Sequence, residues 1–87
     1  MNFSDKIIWI TGASSGIGKS LAIGLSNKGA KLILSSRNEV ALNKVKSTCK
    51  NPQNIEVLPL DLEDYSNFDL VVSKALSFFD GIDILFS

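Results

Sequence analysis

Residues 7–18 read IIWITGASSGIG and join an apolar run to a loop that contains three glycines. The run from Lys6 to Thr11 shows no polar alternation beyond its first residue, which is typical of a strand buried on both faces of a parallel sheet. A tight turn from strand to helix needs glycine where φ is positive or where a Cβ would collide. The following residues show helical periodicity up to Lys28, and Gly29 supplies a C-terminal stop. This segment therefore predicts a strand, a glycine turn and a helix in direct succession.

The rest of the chain repeats this alternation of short β-branched runs and longer helical stretches. Further strands are predicted at residues 31–36, 55–60 and 82–86, and further helices at residues 39–49 and 65–79. In the first helix, which begins at Gly16 or Ile17, the predicted apolar side carries Ile17, Leu21, Ala22 and Leu25. Right-handed crossovers place strands in this order parallel, with helices on both faces. The fold class is therefore α/β, a Rossmann-type doubly wound parallel sheet with the order β-α-β-α-β-α-β.

The fourth predicted strand is apolar on both faces, as an interior strand would be, yet only Ser87 follows it. A wholly apolar strand at a sheet edge invites aggregation, and native edges are usually blunted by charge, proline or a covering element. We therefore expect the fold to be truncated after this strand, so that residues 1–87 form the N-terminal part of a single domain. The alternative is a small complete domain whose partner subunit covers the edge.

Composition excludes several classes of function. The 87 residues are 45% apolar and 21% charged, which indicates a globular chain. No apolar run approaches the roughly 18 residues of a membrane span, and the first residues lack the pattern of a signal peptide. The chain has no histidine and one cysteine, Cys49, which excludes histidine acid–base chemistry and ordinary zinc sites. The same cysteine content favours the reducing cytoplasm.

The net charge of zero conceals a strong polarity along the sequence. Residues 1–50 carry eight basic and two acidic side chains, a net charge of +6, and residues 51–87 carry one basic and seven acidic, a net charge of −6. Such a split is consistent with a polyanion site in the basic half. Lys44, Lys46 and Lys50 are also explained by solvation of one helix face. No basic run is dense enough to predict a nucleic-acid partner.

The glycine turn predicts a phosphate site. Glycines let backbone N–H groups approach a diphosphate at the N-terminus of a helix, where the helix dipole favours negative charge. An overlapping pattern, Ala13-x4-Gly18-Lys19-Ser20, resembles a nucleoside-triphosphate P-loop that lacks its first glycine, with Asp61 as the candidate magnesium ligand. A nucleophilic serine is disfavoured because the chain has no histidine to activate it.

At this point the residues resemble a known family, the short-chain dehydrogenases/reductases. Thr11 to Gly18 match the family's T-G-x3-G-x-G motif, Asp61-Leu62 match its Asp-Leu pair after the third strand, and Gly81 to Leu85 match G-x-D-x-L. The resemblance covers nearly the whole chain. It implies an oxidoreductase that transfers hydride between a nicotinamide cofactor and a small-molecule alcohol or carbonyl substrate.

The resemblance also implies which cofactor is bound. An acidic residue at the tip of the second strand bonds the ribose of NAD, whereas a neutral residue followed by arginine accepts the 2′-phosphate of NADP. Here Ser36 takes the acidic position and Arg37 follows, which predicts NADP(H). By the same resemblance, Asp61 and Leu62 hold the adenine, and Ser14 and Ser15 bond the ribose and phosphates. The predicted cofactor-binding residues are Gly12, Ser14, Ser15, Gly16, Ile17, Gly18, Ser36, Arg37, Asn38, Asp61 and Leu62.

No catalytic residue is assigned within this chain. The family's proton donor is the tyrosine of Y-x-x-x-K, and the only tyrosine here, Tyr65, is followed four residues later by Asp69. The catalytic half is therefore expected outside these residues. The third predicted helix is apolar on more than one side, which predicts contact with a further helix, either of the same chain or of a second subunit in a homo-oligomer. Besides the P-loop nucleotidase, a non-catalytic NADP-sensing module stays open as an alternative.

Overall fold

Strands and helices alternate along the residues that the computed structural model describes, which are 2–61, 63–64 and 66–87. The strands are β1 (Ile7–Thr11), β2 (Lys31–Ser35), β3 (Ile55–Val57) and β4 (Ile84–Phe86). The α-helices are α1 (Gly16–Asn27), α2 (Glu39–Thr48) and α3 (Phe68–Phe78), and a short 3₁₀ turn, Pro52–Asn54, leads into β3. No helix in these described ranges is long and apolar enough to cross a membrane.

The four strands form one parallel sheet in the order β3-β2-β1-β4. In the register of the central pair, Trp9 lies opposite Ile33 and Thr11 lies opposite Ser35. The sheet continues to β4 through Asp83, whose carboxylate accepts a hydrogen bond from the backbone N–H of Ile7 at 2.8 Å. The predicted Rossmann-type fold class is confirmed, with the first strand at the centre of the sheet.

Helices cover both faces of the sheet, as the alternation predicted. One face packs against α1 and α2 through the buried strand residues Ile8, Ile10, Leu32 and Leu34. The other face packs against α3, where Trp9 and Ile33 contact a core that includes Leu58 and Ala75. Successive side chains of a strand point to opposite faces, so the apolar runs of β1 and β2 supply both cores.

The buried side of α1 agrees with the predicted one except at Ile17. Ala22 and Leu25 are buried and Leu21 packs partly buried against the same core, as predicted. Ile17, in contrast, is 77% exposed, and the helix also buries Gly18 and Ser26. The physical reason is the close approach of Gly18 to the backbone of the glycine turn. Because of that approach, the side of α1 that carries Gly18 faces the sheet, and the side that carries Ile17 faces solvent.

The third strand and the third helix are shorter than predicted. Regular strand geometry ends at Val57, although the backbone N–H groups of Leu58 and Leu60 still donate to the carbonyls of Leu34 and Ser36. Pro59 stands between them, where an N–H would face the open edge of the sheet, so it removes no hydrogen bond to β2. The helix begins at Phe68 rather than at Tyr65, which lies outside the described residues.

Cys49 is expected to be unreactive while the chain is folded. Its side chain is 5% exposed, and burial raises the pKa of the thiol, an effect that a hydrogen bond with Ser26 opposes in part. Because the thiolate is the reactive form, a raised pKa and a buried sulfur both slow alkylation. A disulfide reagent should label Cys49 slowly in buffer and rapidly in denaturant. Equal rates in both would contradict the buried placement.

Candidate functional site

The turn between β1 and α1 can be built only with glycine at its key positions. Gly12 and Gly16 have φ values of 66° and 58°, in the left-handed region that other residues rarely adopt. Nothing lies within 4 Å of where their Cβ atoms would be, so the space above both is open. A Cβ on Gly18, in contrast, would overlap the carbonyl oxygen of Gly12. The backbone of the turn is therefore accessible at Gly12 and Gly16, whereas at Gly18 it packs directly against the backbone of Gly12.

The helix that follows the turn offers an uncompensated N-terminus. Ser15 is the N-cap residue, no side-chain hydrogen bond from it closes the helix, and the first turn of α1 contains no acidic residue. The first backbone N–H groups of a helix lack partners within the helix, and the dipole makes this end favourable for anions. Ser14 is partly buried, and Ser15 and Gly16 are exposed. The predicted phosphate residues therefore lie together at one exposed helix start.

A cleft of about 260 Å³ opens at the carboxyl ends of the strands. Its walls come from the ends of β1 and β2 and from the segment after β3, and the lining residues are Thr11, Gly12, Ser35, Ser36, Arg37, Leu60, Asp61 and Glu63. Crevices outside the carboxyl ends of parallel strands are the usual ligand sites of open α/β sheets. Four of the predicted site residues meet in this cleft: Gly12, Ser36, Arg37 and Asp61.

The tip of β2 is held by hydrogen bonds on both sides of Arg37. The Ser36 hydroxyl accepts from the backbone N–H of Asn38 at 3.1 Å, and the Ser36 carbonyl accepts from the N–H of Leu60 at 2.9 Å. Arg37 is exposed and lines the cleft. The loop therefore fixes the backbone of Ser36 and places Arg37 at the wall of the cleft.

Asn38 has a structural role that the site prediction did not assign. Its side-chain oxygen accepts from the backbone N–H of Ala41 at 3.0 Å and caps α2. Within the described part of the chain, the residues lining the cleft do not include Asn38. Its predicted contact with cofactor stays a prediction.

Asp61 lies at the wall of the cleft and also shapes the loop after β3. Its carboxylate accepts from the backbone N–H of Glu63 at 2.9 Å, which closes a turn after β3, and the residue also lines the cleft. A smaller cleft of about 170 Å³ shares Leu60 and Asp61 and extends towards α3. Leu62, predicted beside Asp61, lies outside the described residues.

Sequence reasoning missed four residues of the cleft: Thr11, Ser35, Leu60 and Glu63. Thr11 and Ser35 end neighbouring strands, so the rule that ligands bind at carboxyl ends could have found them. Leu60 ends the predicted third strand, so the same rule could have found it. Glu63 has no signal in the sequence, because its place depends on the path of the loop after β3.

The chain is similar in sequence to known proteins over nearly its whole length. The family model "short chain dehydrogenase" matches residues 6–87. Dehydrogenase/reductase SDR family member 7 of Mus musculus is 44% identical, with 94% of this chain and 26% of that protein covered. The Hydroxysteroid 11-beta-dehydrogenase 1-like protein of Xenopus tropicalis is 39% identical, with coverages of 90% and 28%. The chain therefore spans about a quarter of the length of these relatives.

A solved structure gives the same likeness in three dimensions. The crystal structure of 3-ketoacyl-(acyl-carrier-protein) reductase from Brucella melitensis complexed with NADH superposes with a TM-score of 0.83 and is 28% identical. The match covers 95% of this chain and 33% of that one. The likeness in three dimensions therefore extends over nearly all of this chain.

Proposed function

We propose that this chain, which belongs to the short-chain dehydrogenases because residues 6–87 match the model of that family, is the NADP(H)-binding portion of an oxidoreductase. The proposed reaction is hydride transfer between the nicotinamide cofactor and an alcohol or carbonyl substrate. The observation that carries the proposal is the cleft between the glycine turn and the tip of β2, lined by Gly12, Ser36 and Arg37. A bare backbone turn suits a diphosphate, and a guanidinium beside it suits a further phosphate.

The proposed preference for NADP(H) rests on the residues at the tip of β2. Ser36 brings no negative charge to that tip, and Arg37 lines the same cleft with a planar fork of N–H donors. On the other side, Asp61 and Glu63 line the cleft as well and would repel a phosphate. A 2′-phosphate therefore depends on Arg37 for its attraction. The Brucella reductase was solved with NADH, so the fold by itself does not select the dinucleotide.

The cofactor would supply the hydride, and the residues of this chain would bind and orient it. Gly12, Gly16 and Gly18 would let the turn approach the diphosphate, with α1 directing its N-terminus at the negative charge. The open space above Gly12 and Gly16 fits such an approach. Asp61 would accept from the exocyclic amine of the adenine. We assign none of the described residues to proton transfer.

The proposal extends to partners and compartment. The substrate would be a small-molecule alcohol or carbonyl, and neither nucleic acid nor membrane is proposed as a partner. Leu70 and Leu76 of α3 are 70% and 48% exposed, which supports contact of this helix with further protein, including a second copy in a homo-oligomer. The unpaired Cys49 supports a reducing, cytoplasmic compartment.

Calorimetric titration of the full-length protein with 2′,5′-ADP and 5′-AMP tests the cofactor proposal. We expect 2′,5′-ADP to bind at least about tenfold more tightly, because a hydrogen-bonded contact to a charged group contributes roughly 1.5–3 kcal/mol. Equal affinities would contradict the NADP assignment, and no binding of either would contradict the nucleotide site. Oxidation of NADPH by a panel of ketones and aldehydes then separates an enzyme from a module that only senses NADP.

A further inference from the structure

A buried hydrogen bond joins the centre of the sheet to the tip of β2. The indole N–H of Trp9 donates to the hydroxyl of Ser35 at 2.8 Å. The two side chains are 6% and 1% exposed. In the parallel register Ser35 lies opposite Thr11, two residues beyond Trp9, so the bond runs diagonally across the sheet face that packs against α3. Trp9 itself is not a lining residue of the cleft, whereas Ser35 is.

Ser35 is also the junction of the elements that form the cleft. Its carbonyl accepts from the N–H of Ala13 in the glycine turn at 3.1 Å. It directly precedes Ser36, whose carbonyl accepts a hydrogen bond from the backbone N–H of Leu60 on the opposite wall of the cleft. Any change in the position of Ser35 would therefore be transmitted to the glycine turn and to Arg37.

The indole N–H distinguishes Trp9 from an ordinary core residue. Phenylalanine or leucine could fill the same space, but only tryptophan has a buried donor that must find a partner. That partner is the Ser35 hydroxyl, so the bond fixes the rotamer of Ser35 at the end of its strand. Contacts between guanidinium and phosphate are strongly directional and lose strength when the supporting residues shift.

We propose that Trp9 is a positioning residue for the 2′-phosphate of NADP(H), which it serves by holding Ser35 and thereby the loop that carries Arg37. This inference rests on the proposed function. The inference gives β1 a role in cofactor selection, in addition to supplying buried residues to the core. Trp9 would contact no cofactor itself and would act only through Ser35.

The test uses the ratio of affinities for 2′,5′-ADP and 5′-AMP in the full-length protein. Trp9→Phe removes the donor and retains an aromatic ring, and Ser35→Ala removes the acceptor. We expect each to lower the ratio by about threefold to tenfold, the equivalent of one ordinary hydrogen bond. The matched control is Ile33→Val, because Ile33 is buried in the same core beside Trp9. This control should lower the melting temperature and leave the ratio unchanged.

Combination with Arg37→Ala separates positioning from general loosening. In the Arg37→Ala background, Trp9→Phe should not lower the ratio further, because no phosphate contact is left to misplace. An equal drop in both backgrounds would overturn the inference. An unchanged ratio in Trp9→Phe or Ser35→Ala would also overturn the inference. If Arg37→Ala still abolished the preference in that case, the proposed function would stand. If the parent protein binds both nucleotides equally, the proposed function and the inference are both overturned. Ser35→Ala, which removes a single oxygen, decides the question if Trp9→Phe does not fold.

Discussion

Gly18→Ala is expected to abolish nucleotide binding and to lower the free energy of unfolding by about 3 kcal/mol, the upper range for overpacking a rigid site. The added methyl group would overlap the Gly12 carbonyl oxygen and press on the backbone of Ala13. Both obstacles are backbone atoms, so neither can rotate away as a side chain would. The turn and α1 must then separate, and the N–H groups of the helix start would move away from the position of the diphosphate. Denaturant unfolding and titration with 2′,5′-ADP measure the two effects.

Gly24→Ala is the matched control in the same helix. No atom lies within 4 Å of the position of its Cβ, and Gly24 lies on the exposed side of α1. Alanine in a helix interior is favoured over glycine by roughly 0.5–1 kcal/mol, so this variant should be slightly more stable and bind nucleotide normally. Equal losses in Gly18→Ala and Gly24→Ala would show that the close approach at Gly18 has no special importance.

Arg37→Ala is expected to weaken binding of 2′,5′-ADP by roughly tenfold to a hundredfold, since a charge-assisted contact contributes about 1.5–3 kcal/mol. Binding of 5′-AMP should change by less than about twofold, because the contact that is lost goes to the 2′-phosphate. Arg37 is exposed, so part of its attraction is screened by salt, and the difference between the parent and the variant should shrink as ionic strength rises. Titration at two salt concentrations measures both predictions.

Lys19→Ala serves as the control for Arg37→Ala. Lys19 is exposed in the first turns of α1, and it is not among the described residues that line the cleft. Its removal should leave the preference for 2′,5′-ADP intact. A loss of magnesium-dependent ATP binding in Lys19→Ala would instead favour the P-loop alternative. An unchanged preference in Arg37→Ala would refute the assignment of NADP(H).

The order of elements could be predicted because each strand and helix carries its own local signal. The apolar run of β1, the glycine turn and the α2 stretch that ends near Pro52 are read without knowledge of the tertiary structure. The predicted end of β3 was wrong because the apolar pattern continues to Leu60, whereas the regular strand ends at Val57. Periodicity detects burial, whereas the extent of a strand depends on paired N–H and C=O groups.

The site was predicted only where it depends on backbone conformation or on position in the chain. Gly12 could be found because it directly follows β1 and opens the glycine turn. Arg37 could be found because it follows the tip of β2. Ile17 was misplaced because the approach of Gly18 to Gly12, a contact between backbones, decides the rotation of α1. Glu63 could not be found, since its presence in the cleft follows from the turn that Asp61 closes.

The strand order leaves β4 on the opposite side of β1 from β2 and β3. All residues that line the main cleft lie between Thr11 and Glu63, upstream of α3 and β4 in the chain. The walls of this cleft therefore come from one continuous stretch of chain. We expect a graft of residues 11–63 between related enzymes to carry the proposed preference for NADP(H) with it.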